Sequence, residues 1–527
     1  KTAAATGKPA TMRAEGGVGS FNRREGNVSG SFNSGPFSAT VYGNAITSDG
    51  YRANNHLSQQ NGFGEIRYTG PEFSAFFNVS ADDQRLGLPG PRSVNPALGI
   101  NQLLTDRRGT STPRDYADKQ GVNATAGFTY RLWDGADLIV DGGVRDKKQQ
   151  AGFFSPFAEA YVDSKLQTWS LTPRLDIKGD MFGLRSRILT GLDYYDAAYD
   201  SNRSRFQSTA PIHIYNLKQR SFAAYWQQTL GLAPTTDFSY GGRWQRTSLS
   251  ARDTFNPLAP GAFDAQHTPL DTDENNYALH VGIDHRFNDN FAVFGRAARA
   301  FRTPNVDERL TTGPGFDINF MPIPQNFALK TQTSYDIEGG VRINAGALAI
   351  QSSLYYMALT NEIHFDPVNF HNSNLDPTRR YGSETSASFR VSDTFMLRGG
   401  FAYTRAEFRD GPFAGNAVPL VSRVSGSAGF SWNIWEKYLV LDATARFWGS
   451  RYMDNDQGNK QPLIPAEATL DLKISGEVKN FFWSFSVNNV FDALYYDYAV
   501  ASAFTPGAFN AYPLPGRTYL LKAGLKL

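Results

Sequence analysis

Apolar and polar residues alternate with a period of two over much of the chain. In the segment TLDLKIS, for example, apolar side chains lie between polar ones at Leu470, Leu472 and Ile474. Successive side chains of a β-strand point to opposite faces, so this period indicates strands. We find no convincing helical stretch of useful length. The sequence therefore predicts an all-β protein.

Short and long connections take turns between the predicted strands. Most of the short ones contain Gly, Pro, Asn or Asp, which bend the chain tightly. They are NSGP (33–36), TGPE (69–72), WDGA (133–136), FNDN (287–290), VSDT (391–394) and WEKY (435–438). The long connections lie near 82–120, 196–212, 249–272, 301–329, 359–375, 409–417, 450–464 and 490–513. Tight turns at one end and long loops at the other are typical of outer-membrane β-barrels.

The apolar face of these strands decides between a soluble sheet and a barrel in lipid. One such face is formed by Phe481, Trp483, Phe485 and Val487, and its polar counterpart by Ser484, Ser486 and Asn488. No second apolar layer is evident that would cover such faces, and an exposed surface of this kind aggregates in water. A lipid bilayer, in contrast, requires an apolar outer surface on the protein. Closing the sheet into a barrel gives each of its two edge strands a partner. We predict a transmembrane antiparallel β-barrel of about 22 strands, with short periplasmic turns and long extracellular loops.

The composition agrees with this class and excludes others. The chain has 527 residues, no cysteine and a formal net charge of +2, from 52 basic and 50 acidic residues. This balance argues against nucleic acid as a partner, because nucleic-acid binding needs a basic excess. The mean hydropathy is −0.41, as expected where polar lumen residues offset apolar lipid-facing ones. No apolar run reaches the roughly 18 residues of a transmembrane helix.

Several segments resemble motifs of TonB-dependent outer-membrane receptors. The C-terminal end, VNNVFDALYYDYAV (487–500) with PGRTYLLKAGLKL (515–527), is similar to the family's closing motif. The internal matches are ARAFRTPNVDERL (298–310) for F-R-x-P, LKTQTSYDIEGGVR (329–342) for L-K-P-E-x-S, and NLDPTRRYGSE (374–384) for N-x-x-x-x-R-x-x-G-x-E. In the second of these, Thr331 and Gln332 replace the family's Pro-Glu. The matches follow the family order over nearly the whole chain.

The resemblance implies active uptake of a scarce, bulky ligand across the outer membrane of a Gram-negative bacterium. The TonB complex, outer-membrane lipid and a small-molecule ligand or metal chelate would then be partners. A ferric siderophore is the commonest cargo by family analogy. Alternative cargoes are cobalamin, a quinone cofactor or another nutrient. The alternative function is a passive porin-like channel, although porins lack these motifs.

The family also carries an N-terminal plug domain in the same polypeptide, with a short box that contacts TonB. Neither resembles any part of this sequence. We therefore expect residues 1–527 to form a single barrel domain, with the plug as a further partner.

The segment NLDPTRRYGSETSASF (374–389) passes from loop chemistry into a strand-like alternation. We expect an extracellular loop to descend here into the barrel wall, with Arg379, Arg380 and Glu384 pointing into the lumen or pairing near its mouth. In the resembled family, such lumen charges contact the plug. Ion pairing within the wall and direct contact with ligand are the alternatives.

Aromatic and basic residues of three long loops are the candidate ligand-binding residues. Rings stack on flat or catecholate groups, and Arg adds charge-assisted hydrogen bonds to anions. The loops are 301–329, 359–375 and 490–513, and the candidates are Arg302, Phe316, Phe320, Phe365, Phe370, His371 and Tyr496. The alternative for such rings is the aromatic girdle at the membrane interface.

Signatures of enzymes and cofactors are absent from the sequence. It contains no G-x-S-x-G, H-E-x-x-H or P-loop motif and no cysteine nucleophile, so no catalytic residue is predicted. His364 and His371 flank one loop, which suggests a haem ligand, but the segment 301–329 contains no histidine. The acidic clusters 271–275 and 454–460 lack the closing Glu of an EF-hand. We therefore predict no enzyme, no cofactor and no metal site.

Overall fold

The computed structural model describes residues 9–154, 159–262, 265–310, 326–367 and 371–527. Outside the strands, this part of the chain contains one α-helix of four residues and two 3-10 turns. None of its helices is long and apolar enough to cross a membrane. The prediction of an all-β protein is confirmed.

One antiparallel sheet of 22 strands forms the barrel, and we label its strands β1 to β22 in chain order. They are β1 Ala10–Gly19, β2 Arg23–Ser34, β3 Phe37–Ser48, β4 Leu57–Thr69, β5 Phe73–Gly87, β6 Tyr116–Trp133, β7 Ala136–Phe154, β8 Glu159–Met181, β9 Leu184–Ser204, β10 His213–Ala233, β11 Thr236–Phe255, β12 Leu270–Asn288, β13 Phe291–Arg302, β14 Gln332–Ala345, β15 Leu348–Thr360, β16 Thr378–Arg390, β17 Phe395–Phe408, β18 Val424–Trp435, β19 Leu439–Trp448, β20 Glu467–Val478, β21 Phe481–Asn488 and β22 Thr518–Lys526.

The sheet closes on itself. Each strand pairs antiparallel with the next, and β22 pairs with β21 on one side and with β1 on the other. In the closing ladder, Arg13 lies opposite Lys526 and Gly19 lies opposite Leu520. Closure removes the unpaired edges that lipid does not tolerate. The predicted barrel and its strand number are confirmed.

The connections differ in length between the two ends of the barrel. At the end that holds the chain termini, pairs such as β2–β3, β6–β7 and β14–β15 are joined by two residues each. Gly35, Gly135 and Gly346 adopt positive φ angles of 56°, 87° and 61° in these turns, which glycine allows without strain. At the other end the longest loops are 303–331 and 489–517. The predicted succession of tight turns and long loops is confirmed, but β5, β6, β9 and β11 extend into the segments predicted as loops 82–120, 196–212 and 249–272.

Several loops contain short elements of their own. These are the strands Arg92–Asn95, Ile100–Asn101, Ile363–Asp366, His371–Asn374, Arg451–Tyr452, Leu463–Ile464, Tyr496–Ala501 and Phe509–Pro513, the 3-10 turns Pro96–Leu98 and Asp307–Arg309, and the helix Gln102–Thr105.

The two faces of the wall separate as the alternation predicts. In the β21–β22 ladder, Phe485 lies opposite Leu521, so the two apolar side chains share the outward face. Ser484 lies opposite Lys522, whose ammonium pairs with Glu15 at 3.4 Å and with Glu25. This polar face lines the lumen.

Ion pairs between neighbouring strands occupy much of the lumen wall. Arg174 pairs with Asp141 at 2.7 Å, and Arg296 pairs with Asp336 at 2.6 Å. Pairs of this kind satisfy charged side chains without filling the space between opposite walls. The lumen of a 22-stranded barrel is wide enough to hold a separate plug.

We expect Phe485→Arg to destabilise the barrel by about 2–4 kcal/mol, because it places a charge at mid-height on the lipid face. Ser486→Arg is the matched control, since its side chain points into the aqueous lumen. Folding into lipid vesicles, measured against urea, compares the two. A greater loss for Ser486→Arg would show that the two faces are exchanged.

Candidate functional site

Three extracellular loops form one packed unit, which we call the outer cap: 88–115, 449–466 and 489–517. Strands Arg92–Asn95, Tyr496–Ala501 and Phe509–Pro513 join the first and last of these loops in a small sheet. Its core is a cluster of buried apolar side chains: Val94, Leu103, Met453, Ile464, Ala499, Ala501 and Ala511. The cap therefore has a hydrophobic core of its own.

Buried arginines tie the outer cap to the barrel rim and join two loops within the cap. Arg52, on the loop between β3 and β4, donates to the carbonyl oxygens of Gly90 at 2.6 Å and Gly109 at 2.9 Å. Arg451 donates to the carbonyl oxygen of Asp497 at 2.9 Å. Guanidinium groups with several fixed donors suit this bridging of loop backbones.

A cavity of about 1050 Å³ lies beneath the outer cap, and we call it the upper-lumen cavity. It lies beside the seam where β1 meets β22, and the ends of β19 and β20 complete its wall. Its aromatic lining residues are Phe21, Tyr51, Trp448, Tyr495 and Tyr519, and its basic ones include Arg23, Arg446 and Arg451. Such a cavity can hold a drug-sized molecule between stacking rings and cationic donors.

The arginines of this cavity already have carboxylate partners. Arg23 pairs with Glu25 at 2.6 Å, Arg446 pairs with Asp471, and the side chains of both arginines stay about half exposed. A half-exposed pair such as Arg446–Asp471 contributes only about 0–1 kcal/mol, and the buried carboxylate of Glu25 has Lys522 as a second partner. An anionic ligand can therefore take over donors from these arginines at small cost.

A second cavity, of about 510 Å³, lies between loops 303–331 and 361–377, and we call it the inter-loop cavity. Asn372 Nδ2 donates to the carbonyl oxygen of Glu308 at 2.9 Å, and the amide of Lys330 donates to Asn374 Oδ1 at 2.9 Å. Asparagine side chains on one loop thus bond the backbone of the other loop.

The structure places the candidate ligand residues in different surroundings. His371 lines the inter-loop cavity, Arg302 pairs with Glu308 beside it, and Phe365 is exposed on the nearby hairpin. Tyr496 instead packs inside the outer cap, with its ring stacked on Phe509 at 6.1 Å. The other candidates lie outside the described residues: Phe316, Phe320 and Phe370.

Arg379 points away from the lumen and takes part in ion pairing within the wall, which is one of the arrangements that the sequence left open for it. Residues 379, 381 and 383 share the outward face with Leu354, which lies opposite Ser383 and is 68% exposed. There Arg379 pairs with Glu407 at 3.0 Å. Arg380 and Glu384 share the opposite face, which lines the lumen, and Arg380 pairs with Glu362. The physical reason is that adjacent residues of a strand point to opposite faces.

Sequence reasoning missed the residues of the upper-lumen cavity. Most come from the ends of wall strands or from turns beside them, such as Phe21 after β1 and Trp448 at the end of β19. The alternation of apolar and polar residues does place Trp448 and Arg446 on the lumen face, and this is the feature of the sequence that could have identified them. Their meeting with Phe21 depends on closure of the barrel between its two ends.

A family model described as "TonB dependent receptor-like, beta-barrel" matches residues 40–490, which is most of the chain. The chain belongs to the TonB-dependent receptor family. This confirms the resemblance found in the sequence. The family consists of transport receptors in the outer membrane of Gram-negative bacteria, and this receptor resides there too.

Solved structures of several receptors share this fold. The ferric yersiniabactin uptake receptor FyuA from Yersinia pestis has a TM-score of 0.81 at 18% identity, with 98% of this chain and 80% of that one covered. The siderophore receptor PiuA from Acinetobacter baumannii reaches 0.81 at 14%, covering 99% and 82%. The copper transporter OprC reaches 0.77 at 15%, covering 98% and 82%. No curated protein matches the sequence significantly.

One ion pair links the loops around both cavities of the receptor. His364, on the hairpin of loop 361–377, lies 3.2 Å from Asp454 of the outer cap. The Tyr498 hydroxyl donates to the same carboxylate at 2.7 Å. The Asp454 carboxylate raises the pKa of His364 against the opposing effect of burial. Burial alone would raise the pKa of Asp454, but the charge of the nearby His364 and the hydrogen bond from Tyr498 outweigh it and lower that pKa.

We expect this link to open as the pH rises. Because the folded pKa of His364 is raised, the stabilising imidazolium pair is fully present below the ordinary value of 6.5 and is lost as the pH rises through the raised pKa. Spin labels at Phe365→Cys and Phe504→Cys, in a chain that has no other cysteine, report the distance between the loops by double electron–electron resonance. The distribution should be narrow at pH 5.5 and broaden as the pH passes the raised pKa.

His364→Gln should remove this pH response, whereas His56→Gln, on the loop between β3 and β4, should keep it. A response that survives in His364→Gln would assign the opening to another group.

Proposed function

We propose that this receptor imports a ferric siderophore by TonB-dependent uptake, which is the transport process of its family. The observation that carries the proposal is the upper-lumen cavity, which combines aromatic rings with three arginines in a volume of about 1050 Å³. A bulky, anionic, partly aromatic metal chelate matches both its size and its chemistry.

The rings and the guanidinium groups bind such a chelate in different ways. Trp448 and Tyr51 offer faces on which catecholate or other flat groups stack, which is worth about 0.5–1.5 kcal/mol beyond burial. Arg23 and Arg446 give charge-assisted hydrogen bonds to the oxygen atoms that surround the metal. Because their carboxylate partners remain close by, the same arginines can re-pair once the ligand leaves.

The inter-loop cavity supports an entry role for loops 303–331 and 361–377. His371 of the hairpin that carries the exposed Phe365 lines this cavity, and Arg302 pairs with Glu308 beside it. The His364–Asp454 pair joins this hairpin to the outer cap, so the entrance and the upper-lumen cavity are linked mechanically. We propose that ligand first contacts these loops and then passes beneath the cap.

The structural neighbours include a ferric yersiniabactin uptake receptor, a siderophore receptor and a copper transporter. Metal chelates are thus a cargo class for this fold, which supports the proposal without choosing one chelate. Cobalamin and a quinone cofactor are the alternatives that the test must separate. We also infer that the receptor is not an enzyme, since transport receptors make up its family.

We expect Trp448→Ala to weaken binding of the cognate ferric siderophore roughly 3- to 10-fold, because a stacking face is lost. The measurement is binding and uptake of ⁵⁵Fe-labelled siderophores by cells that carry the full-length receptor. Labelled cobalamin and a labelled quinone are assayed in parallel.

Phe447→Ala is the matched control, because Phe447 precedes Trp448 on β19 but is 42% exposed on the outward face. It should leave binding unchanged. Uptake of cobalamin or the quinone with no response to any ferric siderophore would overturn the iron assignment.

We further propose that a plug domain fills the lumen of the working receptor. Lumen-facing residues such as Ser38, Thr40, Ser484 and Ser486 are small and polar, and they leave the centre of a 22-stranded barrel open. The 527-residue chain alone should therefore conduct ions in planar bilayers as an open, poorly selective pore.

Adding a plug in the same polypeptide should lower this conductance. A tightly closed barrel formed by the 527-residue chain alone would contradict the proposal, because it would mean that the chain fills its own lumen.

A further inference from the structure

Two histidines and one aspartate converge on a fully buried point near the extracellular rim. We call His213, Asp253 and His267 the buried histidine cluster; their exposed fractions are 4%, 4% and 3%. None of them lines the upper-lumen cavity or the inter-loop cavity. The sequence predicted no metal site, and it gave no sign that these three residues meet.

Barrel topology brings the cluster together from three segments. His213 is the first residue of β10, and Asp253 lies near the end of β11, opposite Tyr215 in their ladder. His267 comes from loop 256–269, and its backbone amide donates to Asp253 Oδ2 at 2.9 Å. The cluster thus lies at the loop end of two long strands, well away from their periplasmic turn.

The three side chains offer ligand atoms at metal-binding spacing. Asp253 Oδ2 lies 2.9 Å from His213 Nδ1 and 3.3 Å from His267 Nδ1, and all three atoms fall within 4.8 Å of one another. A zinc ion binds imidazole nitrogen and carboxylate oxygen at about 2.0–2.2 Å, so atoms around one ion lie roughly 3.3 Å apart. Small rotations of the two rings are enough to reach this geometry.

Two polar atoms of the cluster lack partners within the described part of the chain. Asp253 Oδ1 and His267 Nε2 are both buried without a hydrogen bond there. An unpartnered oxygen on a fully buried carboxylate is costly, and buried charges in proteins are normally paired or coordinate metals. Asp253 therefore has spare coordinating capacity inside a closed site.

We propose that the buried histidine cluster binds a divalent first-row transition-metal ion, held by the two imidazoles and the Asp253 carboxylate. Two nitrogens and a carboxylate oxygen suit zinc and its neighbours, whereas calcium and magnesium prefer all-oxygen sites. The Tyr215 hydroxyl lies 3.4 Å from His267 Nδ1, at the edge of the proposed site. The ion is structural, because the site is sealed from both cavities.

Metal binding here would stiffen the base of loop 303–331. The ring of Phe327 stacks on His267 with centroids 5.3 Å apart. Phe327, Val306 and Leu310 pack in one buried cluster with Tyr215 and other side chains of β9–β11. The ion would therefore join loop 256–269 to the strands against which loop 303–331 packs, and so fix one side of the entrance.

The experiment uses the refolded 527-residue chain in detergent, stripped with chelator and then titrated with Zn²⁺. About one equivalent of zinc should bind tightly and survive dialysis. Cobalt(II) in its place should give the visible absorption bands of a low-coordinate nitrogen- and oxygen-ligated ion. Hydrogen exchange should slow in peptides that contain 213–217 and 251–255.

Asp253→Asn, His213→Gln and His267→Gln should each weaken zinc binding about 10-fold or more. His280→Ala, a lumen histidine opposite Gly241 in the β11–β12 ladder, should bind zinc as wild type does. If a variant fails to form the barrel, the cobalt spectrum and the hydrogen-exchange data of the wild-type chain still show whether the cluster binds a metal ion. Zinc binding that is absent from wild type, or unchanged in all three variants, would overturn the proposal and leave the cluster as two imidazoles bonded to a carboxylate.

Discussion

The backbone has to satisfy its own hydrogen bonds inside lipid, and the rest of the structure depends on this requirement. No water is available there, so every N–H and C=O of the wall needs a partner strand. The 22 strands meet the demand only because β22 returns to pair with β1. A closed wall then forces the period of two, since one face of every strand meets lipid and the other meets the lumen. Polar lumen residues follow from the same geometry.

A polar lumen deprives the barrel of a central hydrophobic core, and the extracellular parts are stabilised by smaller cores instead. The outer cap has one around Met453 and Ile464, and Phe408 and Val418 form another beside loop 409–423. A third hydrophobic cluster, which contains Tyr215 and Phe327, forms because some strands are longer than the membrane requires. A spanning strand needs about 9–11 residues, but β8 has 23 and β9 has 21. The surplus rises beyond the membrane and gives loop 303–331 a wall to pack against.

Alternation and turn chemistry made most of the barrel predictable from the sequence, because both are local. The sequence left the direction of Arg379 open, because that direction depends on where the strand begins: β16 starts at Thr378, so Arg379 and Arg380 already lie in the strand and point to opposite faces. The upper-lumen cavity could not be predicted, since Phe21 and Tyr519 meet only when the two ends of the chain close the barrel. The buried histidine cluster likewise needs the register of β10 against β11.

The difference between local patterns and contacts made only on folding also explains why the family can be recognised from the sequence more easily than the transported ligand. The wall is set by pairing and alternation, which tolerate wide changes of side chain, and receptors 14–18% identical to this one still share it. The structure of the extracellular mouth depends instead on particular contacts. Examples are the hydrogen bonds from Arg52 to the carbonyl oxygens of Gly90 and Gly109 and the ion pair of His364 with Asp454. On the proposed uptake route, a ligand would meet arginines already paired with carboxylates, so it would be selected by how well it replaces those partners and fits between the rings. Selectivity would then depend on a few residues at the top of the barrel, and these can change without any change in the wall.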